Sequence, residues 1–333
     1  MNLLGTDSPI VAAPMAGGVT TVTLARAVAA AGSFPFLAAG YKSVEAMAGE
    51  VEQLRDLPFG INLFVPGPSD VELAAFQAYA RELQPDAARL GVTLDPSPVH
   101  DDDAWDEKLA WLLEHPVPVV SLTFGLPSRT AIDALRSVGT RVLATVTTPG
   151  EAVAAVASGV DALIVQGGGA GGHSATFDPS RPIAETTTAE TLALVRGAVD
   201  APLIAAGGVA DRVDVQRLLQ AGAEAVAVGT ALLLTDEAGT SPTHREALTE
   251  PRFTRTAITR AFTGRPARGL FNTFMERHAH APLGYPAIHH LTRDLRRAAG
   301  AVGDAESMHL WAGTGWRSAR TSPVAGVIAA LTP

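Results

Sequence analysis

Residues 202–230 have the sequence PLIAAGGVADRVDVQRLLQAGAEAVAVGT. Two short apolar runs, 202–206 and 225–229, flank a segment in which apolar residues recur at helical spacing. Each run is apolar almost throughout and does not alternate with polar residues, as is typical of parallel strands that are covered on both faces. The stretch therefore predicts a strand–helix–strand unit of an α/β fold.

The same unit recurs along the first 235 residues of the chain. The apolar runs predicted as strands occupy residues 10–15, 34–40, 59–65, 117–124, 141–147, 162–166, 202–206 and 225–229. Ala-rich amphipathic segments lie between them, and several end at a glycine, as helices often do. Eight units match a (β/α)8 TIM barrel, which takes about 250 residues. A doubly wound open sheet is the alternative, and the number of units favours the closed barrel.

The alternation of strands and helices stops after Thr235, which predicts a division into three parts. Residues 1–235 are predicted to form the barrel, with a decorated crossover at 66–116 that carries helical stretches at 70–90 and 101–114. Residues 236–305 are predicted to form a small, mainly helical lid domain. Residues 306–333 are predicted to return to the barrel.

Composition excludes several classes of function. The chain has no cysteine, which rules out disulfides, thiolate metal sites, Fe–S clusters and cysteine nucleophiles. A net charge of −9 argues against a dedicated nucleic-acid-binding protein. The N-terminus shows no secretory signal, and no apolar run reaches the ~18–20 residues that cross a bilayer. We therefore expect a cytoplasmic protein with neither nucleic acid nor membrane as a partner.

Glycine dominates the predicted C-terminal strand ends, where the functional groups of a barrel lie. Gly207-Gly208 follows the seventh strand and Gly229-Thr230 follows the eighth. These two loops frequently build a phosphate site, in which backbone N–H groups are the donors. We therefore expect a phosphorylated cofactor or substrate here, with the Thr230 hydroxyl as an additional contact.

The sixth strand ends in the loop Gln166-Gly-Gly-Gly-Ala-Gly-Gly-His173. It contains a G-x-G-x-x-G pattern, but Pro179 and Pro182 follow where a dinucleotide-binding unit needs a helix. The loop instead predicts a histidine placed beside a ligand, where imidazole can take or give a proton. The pairs His278-x-His280 and His289-His290 lack a third ligand at a familiar spacing. They are predicted to be surface or lid residues, and no metal site is predicted.

Several motifs occur in an order that resembles a known family. They are APMAG at 13–17, PFGIN at 58–62, FGLP at 124–127, QG…AGGH at 166–173, AGGV at 206–209, GT at 229–230 and WAG at 311–313. The chain resembles the nitronate monooxygenases, formerly called 2-nitropropane dioxygenases, over nearly its whole length. The resemblance implies a barrel that binds FMN non-covalently beneath a smaller domain. It also implies oxidation of alkyl nitronates by O2 to a carbonyl compound and nitrite, without NAD(P)H.

The resemblance implies a role for each matched position. His173 matches the catalytic histidine, acting as a base on a neutral nitroalkane or as an imidazolium beside an anionic nitronate. Met15 matches the residue beside the isoalloxazine ring, and Asn62 and Gln166 match polar flavin contacts. The remaining matches are Gly171 and Gly172 behind the flavin, and Gly207, Gly208, Gly229 and Thr230 at its phosphate.

This chain departs from the family pattern at a few positions. Many members carry Glu at the position of Gly169 and Arg at the position of Ser174. Many also have Arg-Phe where this chain has Ala231-Leu232. The backbone donors and Gln166 are retained, so these departures bear on the substrate and not on FMN binding.

Two other functions remain open at this stage. One is an NAD(P)H-dependent FMN reductase of the enoyl-thioester or quinone type, which has a similar Ala-Gly-Gly-His loop. Residues 251–333 carry 11 Arg or Lys against 4 Asp or Glu, which suits an anionic nicotinamide cofactor or acyl carrier protein. The other is a non-flavin barrel that binds a phosphorylated metabolite. The leading prediction has a nitronate or nitroalkane and O2 as small-molecule partners, and it is compatible with a homodimer.

Overall fold

The computed structural model describes residues 3–67 and 71–333 and contains a closed barrel of eight parallel strands. These strands are Ile10–Ala12 (β1), Phe34–Ala38 (β2), Gly60–Phe64 (β3), Val119–Thr123 (β4), Arg141–Val146 (β5), Ala162–Gln166 (β6), Leu203–Ala206 (β8) and Ala225–Val228 (β9). The short strand Gly172–His173 (β7) lies in the loop between β6 and β8. β1 pairs with both β2 and β9, which closes the sheet. The predicted TIM barrel is confirmed, with a strand in each predicted run.

Helices cover the outside of the barrel. They are Val22–Ala30 (α1), Val44–Glu52 (α2), Leu73–Glu82 (α3), Gln84–Leu90 (α4), Trp105–Glu114 (α5), Arg129–Ser137 (α6), Pro149–Ala157 (α7), Thr188–Ala198 (α8) and Arg212–Gln220 (α9). Most begin at a Ser, Thr or Asp whose side chain accepts a hydrogen bond from the first turn. Thr187 and Glu190 form a reciprocal capping box at the start of α8. Most helix starts are therefore determined by a capping residue next to them in the sequence, directly after the strand-end loops.

The strands are buried on both faces, as their continuous apolar character predicts. One core cluster draws on the strands and contains no helix residue, so it fills the barrel interior. Its larger members include Phe34, Phe36, Leu143, Ile164 and Ile204. A Cβ at Gly60 would lie 2.3 Å from the Phe36 ring, so β3 leaves room for that ring. The opposite faces of the strands pack against the helices.

The crossover after β3 contains α3, α4 and α5. The helical stretch predicted at 70–90 is divided into two helices at Leu83, because Pro85 lies in the first turn of a new helix. The first residue of the predicted stretch, residue 70, lies outside the described residues. The stretch predicted at 101–114 becomes helical only at Trp105, because Asp103 and Ala104 have left-handed backbone conformations. Side chains from α3 and α4 pack with the segment after residue 236.

That appended segment contains Pro242–Thr249 (α10), Thr256–Thr259 (β10), Ala267–Leu270 (β11), Thr273–Arg277 (α11) and Ala287–Ala301 (α12). The sequence did not predict its two strands, because TAIT and ARGL are short and lack an apolar pattern. β11 pairs with β10 on one side and β7 on the other, which places Ala267 opposite His173. The segment is therefore joined by backbone pairing to the loop that carries the candidate histidine.

The C-terminal helix Val324–Leu331 (α13) packs against α1 and α9. Val324, Ile328 and Leu331 belong to the same core cluster as Leu24 and Val28 of α1. The chain therefore ends on the outer surface of the barrel, and the division into three domains stays a prediction. Of the helices within 3–67 and 71–333, none has the length and apolar character required to span a bilayer.

Candidate active site

The loops after β8 and β9 form a cradle of backbone donors. Gly207 and Gly208 have φ values of +107° and +71°, in a region that residues with a side chain rarely adopt. A 3-10 turn, Thr230–Leu232, follows β9, and its first internal hydrogen bond runs from Leu232 N–H to Gly229 O at 2.8 Å. In the described part of the chain, the N–H groups of Gly208 and Thr230 have no acceptor. Such free N–H groups suit an anion.

The segment Trp311–Thr314 adds a third side to the cradle. Gly313 N–H donates to Thr230 Oγ1 at 2.9 Å, and Thr314 N–H donates to Gly169 O at 2.9 Å. A Cβ on Gly171 would lie 2.5 Å from Gly313 N, so this close approach requires glycine. Sequence reasoning missed Gly313 and Thr314 as site residues. The WAG motif at 311–313 was the available signal, but it carries no indication of what it contacts.

Gln166 ties down the loop that carries His173. Its Nε2 donates to His173 O at 3.1 Å, and its Oε1 accepts from Ala175 N–H at 2.8 Å. The amide therefore spans the loop from one end to the other. The structure places Gln166 at the barrel mouth and shows that its side chain fixes the loop, while its role as a flavin contact stays a prediction.

Asn62 and Met15 occupy the opposite side of the mouth. Asn62 is buried, and its Nδ2 donates to Ser121 Oγ at 2.9 Å and to Thr123 Oγ1 at 2.8 Å. The amide NH2 group is thus used by β4, and Oδ1 is the atom left for a ligand. Met15 Sδ lies 3.5 Å from the position of a Cβ on Gly229, which brings the end of β1 to the cradle.

The His173 imidazole has one side-chain hydrogen-bond partner among the described residues. Its Nε2 lies 2.9 Å from the Thr263 hydroxyl, which in turn lies 3.2 Å from Arg265 O. Nδ1 makes no hydrogen bond within the described residues. Burial, reinforced by the charges of Arg265 and Arg296, lowers the pKa of His173 to about 3. The imidazole is neutral at physiological pH.

An aromatic wall surrounds this imidazole. The centroid of the His173 ring lies 5.5 Å from that of Trp311, 5.7 Å from Tyr285 and 5.9 Å from Phe124. Tyr285 donates to the Tyr41 hydroxyl at 3.3 Å, which extends the wall to the end of β2. Burial raises the pKa of Tyr41 to about 12 and also raises the pKa of Tyr285. Both phenols therefore remain protonated hydrogen-bond donors.

Two members of the wall have strained backbones. Tyr41 and Phe124 follow β2 and β4 with φ values of +68° and +81°, which are uncommon outside glycine and cluster at functional sites. Tyr41 N–H donates to Asp103 Oδ1 at 2.7 Å. The buried Lys108 ammonium pairs with Asp103 Oδ2 at 2.8 Å and donates to Ala39 O at 3.0 Å. The crossover thus contributes a buried ion pair that holds Tyr41 in place.

The structure brings the predicted residues of the loops after β1, β3, β6, β8 and β9 to one mouth. Sequence reasoning missed Tyr41, Tyr285 and Thr263 as members of the site. Tyr41 could have been found from its place directly after the strand-end Gly40, whereas Tyr285 and Thr263 lie in the appended segment and carry no motif. His278 and His289, predicted as surface or lid residues, are buried in that segment.

The fold and the position of the site are those of a TIM-barrel enzyme whose chemistry lies at the C-terminal ends of the strands. The family model described as nitronate monooxygenase matches residues 2–333, and the chain belongs to this family. A nitronate monooxygenase from Pseudomonas aeruginosa is 38% identical, over 99% of this chain and 97% of that protein. A probable nitronate monooxygenase from Staphylococcus aureus is 32% identical, over 97% of this chain and 92% of that protein.

Solved structures show the same relationship. Nitroalkane oxidase from Streptomyces ansochromogenes is 48% identical, with a TM-score of 0.93 over 98% of this chain and 95% of that one. FabK from Thermotoga maritima is 26% identical, with a TM-score of 0.76 over 99% of this chain and 93% of that one. These likenesses support the fold and the family, while the roles of individual residues remain predictions.

Proposed function

We propose that this chain binds FMN at the barrel mouth and oxidises alkyl nitronates with O2 to a carbonyl compound and nitrite. The observation that carries the proposal is the neutral imidazole of His173, which lies among aromatic rings at the same mouth as a glycine-lined cradle of free N–H groups. Family membership supports a flavin-dependent oxidoreductase of this kind.

The residues present fit FMN. The free N–H groups of Gly208 and Thr230 suit its phosphate, and the Thr314 hydroxyl lies 3.1 Å from the position of a Cβ on Gly208. Met15, Asn62 and Gln166 would contact the ring system. No dinucleotide fingerprint is present to hold the second phosphate and adenosine of FAD. FMN, when bound, supplies the electron acceptor for substrate oxidation.

The identity of the cofactor is directly testable. Cofactor released by heating the purified protein is expected to migrate as FMN in chromatography. Release of FAD, or of no flavin, would contradict the proposed cradle.

The chain's own residues favour a nitronate over a neutral nitroalkane. A base with a pKa near 3 is too weak to remove a proton from carbon efficiently at neutral pH. A nitronate has already lost that proton, so its oxidation needs no base, and His173 and the aromatic wall need only to position it. The same lowered pKa disfavours the alternative in which an imidazolium binds the nitro oxygens.

Anaerobic mixing separates this function from the reductase alternative. The holoenzyme is mixed without O2 with NADPH in one experiment and with a preformed nitronate in another. We expect the visible flavin absorbance to be lost with the nitronate only, and nitrite to form once O2 is admitted. Loss of absorbance with NADPH alone would favour the reductase.

A further inference from the structure

Two guanidinium groups in the appended segment are buried without a carboxylate partner. Arg265 and Arg296 are 5% and 7% exposed. Among the described residues, no carboxylate oxygen lies within 4.0 Å of either group. The buried Lys108, in contrast, has Asp103 at 2.8 Å. Burying a charge without a partner is costly, so a compensating group is expected at this place.

Arg265 is held against the histidine loop. Its Nε donates to Ser174 O at 3.2 Å, its Nη2 donates to Thr176 O, and its Cζ lies 3.9 Å from the centre of the Phe124 ring. These contacts leave Nη1 without a partner among the described residues. The Glu151 carboxylate lies beyond ion-pair distance of Arg265, and it accepts from the Thr176 hydroxyl at 2.9 Å and pairs with Arg181 at 3.5 Å.

Arg296 lies on α12, next to the aromatic wall. Its Nη2 donates to His289 O at 2.9 Å, and its Nε donates to Thr292 Oγ1 at 3.1 Å. The His289 ring in turn stacks on Tyr41, with centroids 4.2 Å apart and planes at 5°. Nη1 of Arg296 again has no partner in the parts of the chain that the structure describes.

The two charges act on the same place. Both Arg265 and Arg296 lie close enough to His173 for their charges to act on its imidazole. Both also act on the hydroxyls of Tyr41 and Tyr285. Two buried cations therefore lie beside a site whose histidine and phenols are all neutral.

We propose that Arg265 and Arg296 form an anion subsite that binds the substrate in its ionised, nitronate form and selects it over neutral nitro compounds. The inference rests on the proposed function and extends it to the charge of the bound substrate. A nitronate carries its negative charge on two oxygen atoms, which a guanidinium can bind through N–H groups. The substrate thereby supplies the counter-charge that the protein lacks.

The test uses holoenzyme with four substitutions, Arg265→Gln, Arg265→Lys, Arg296→Gln and Arg296→Lys. Gln retains a donor for the carbonyl contacts without the charge, and Lys retains the charge. The control is Arg293→Gln on the same helix, where the side chain is 61% exposed. Bound FMN is measured in every variant by its visible absorbance. Nitrate, a planar oxyanion, is the probe for the subsite.

We expect each Gln variant to lose about 10²-fold in kcat/KM for a preformed nitronate. With a neutral nitroalkane the loss should be less than about threefold. The Lys variants should recover at least about tenfold on the nitronate, and Arg293→Gln should match the unmodified enzyme. Nitrate should inhibit the unmodified enzyme competitively against the nitronate and bind more weakly to the Gln variants.

Equal losses on both substrates would overturn the subsite and assign the arginines to folding alone. The subsite would also be overturned if nitrate failed to compete with the nitronate in the unmodified enzyme. This second measurement uses no variant, so it decides the question even if the variants do not fold. Failure of the proposed function gives a different result. In that event the unmodified enzyme oxidises neither nitro compound, while nitrate binding, measured by calorimetry on the same variants, still reports on the subsite.

Discussion

Replacing Gly208 with aspartate tests where the flavin phosphate lies, because asparagine at the same position is a neutral control of nearly equal shape. Gly208 has a φ of +71°, and a Cβ there would lie 3.1 Å from Thr314 Oγ1. Any side chain therefore adds strain and crowding. Asn and Asp tolerate this backbone region better than other residues with a side chain. The two variants share these costs, and the difference between them isolates charge.

The expected difference is large. At about 4 Å and an effective dielectric constant of about 20, the repulsion between one carboxylate charge and one phosphate charge is about 4 kcal/mol. That energy corresponds to about 10³-fold in Kd. The assay is titration of the flavin-free protein with FMN, followed by flavin fluorescence, with thermal melting as a check on folding. If Gly208→Asp and Gly208→Asn bind FMN within threefold of one another, the phosphate does not lie at Gly208.

Three further predictions follow from burial and packing. Burial lowers the pKa of each of four histidines, His173, His244, His289 and His309. Below about pH 6.5 the histidines of the unfolded chain bind protons, whereas those of the folded chain do not. The free energy of unfolding should therefore fall as the pH is lowered toward 4, by up to about 1.4 kcal/mol per pH unit for each histidine. A free energy of unfolding that does not change over this pH range in urea titrations would contradict this. Lys108→Met leaves the Asp103 carboxylate without its partner and should destabilise the protein by about 3–5 kcal/mol in the same assay, with partial recovery when Asp103→Asn is added. Gly171→Ala would place a Cβ 2.5 Å from Gly313 N and should weaken FMN binding, whereas Gly150→Ala, which has open space around it, should leave FMN affinity unchanged.

The barrel was predictable because its signals are local. Each strand is a short apolar run, each helix begins at a capping residue, and the parallel arrangement brings all the strand ends to one mouth. The glycine cradle and His173 follow from that geometry without any knowledge of packing. Family resemblance added Met15, Asn62 and Gln166, which no local pattern distinguishes from ordinary strand residues.

The rest of the site depends on contacts between segments far apart in the sequence. Thr263, Arg265 and Tyr285 lie in the appended segment, which pairs with the histidine loop through β11 and β7, and each contacts His173 or its loop. The strands of that sheet have four residues or fewer and no apolar periodicity, so tertiary packing determines them. Tyr41 is fixed in a similar way, by a carboxylate 62 positions away in the sequence.

The departures from the family pattern acquire a physical meaning in this packing. A side chain at Gly169 would be crowded, because a Cβ there would lie 2.7 Å from Thr314 Oγ1 and 3.2 Å from Gly208 Cα. Thr314 of the segment 311–314 occupies the space that the side chain of a glutamate at position 169 would need. This chain has Ser174 where many members of the family have arginine, and the Ser174 carbonyl accepts a hydrogen bond from Arg265 Nε at 3.2 Å. The cation beside the histidine loop thus comes from the appended segment, which is also joined to that loop by the pairing of β11 with β7. Arg265 therefore both supplies positive charge beside the loop and hydrogen-bonds to the loop backbone.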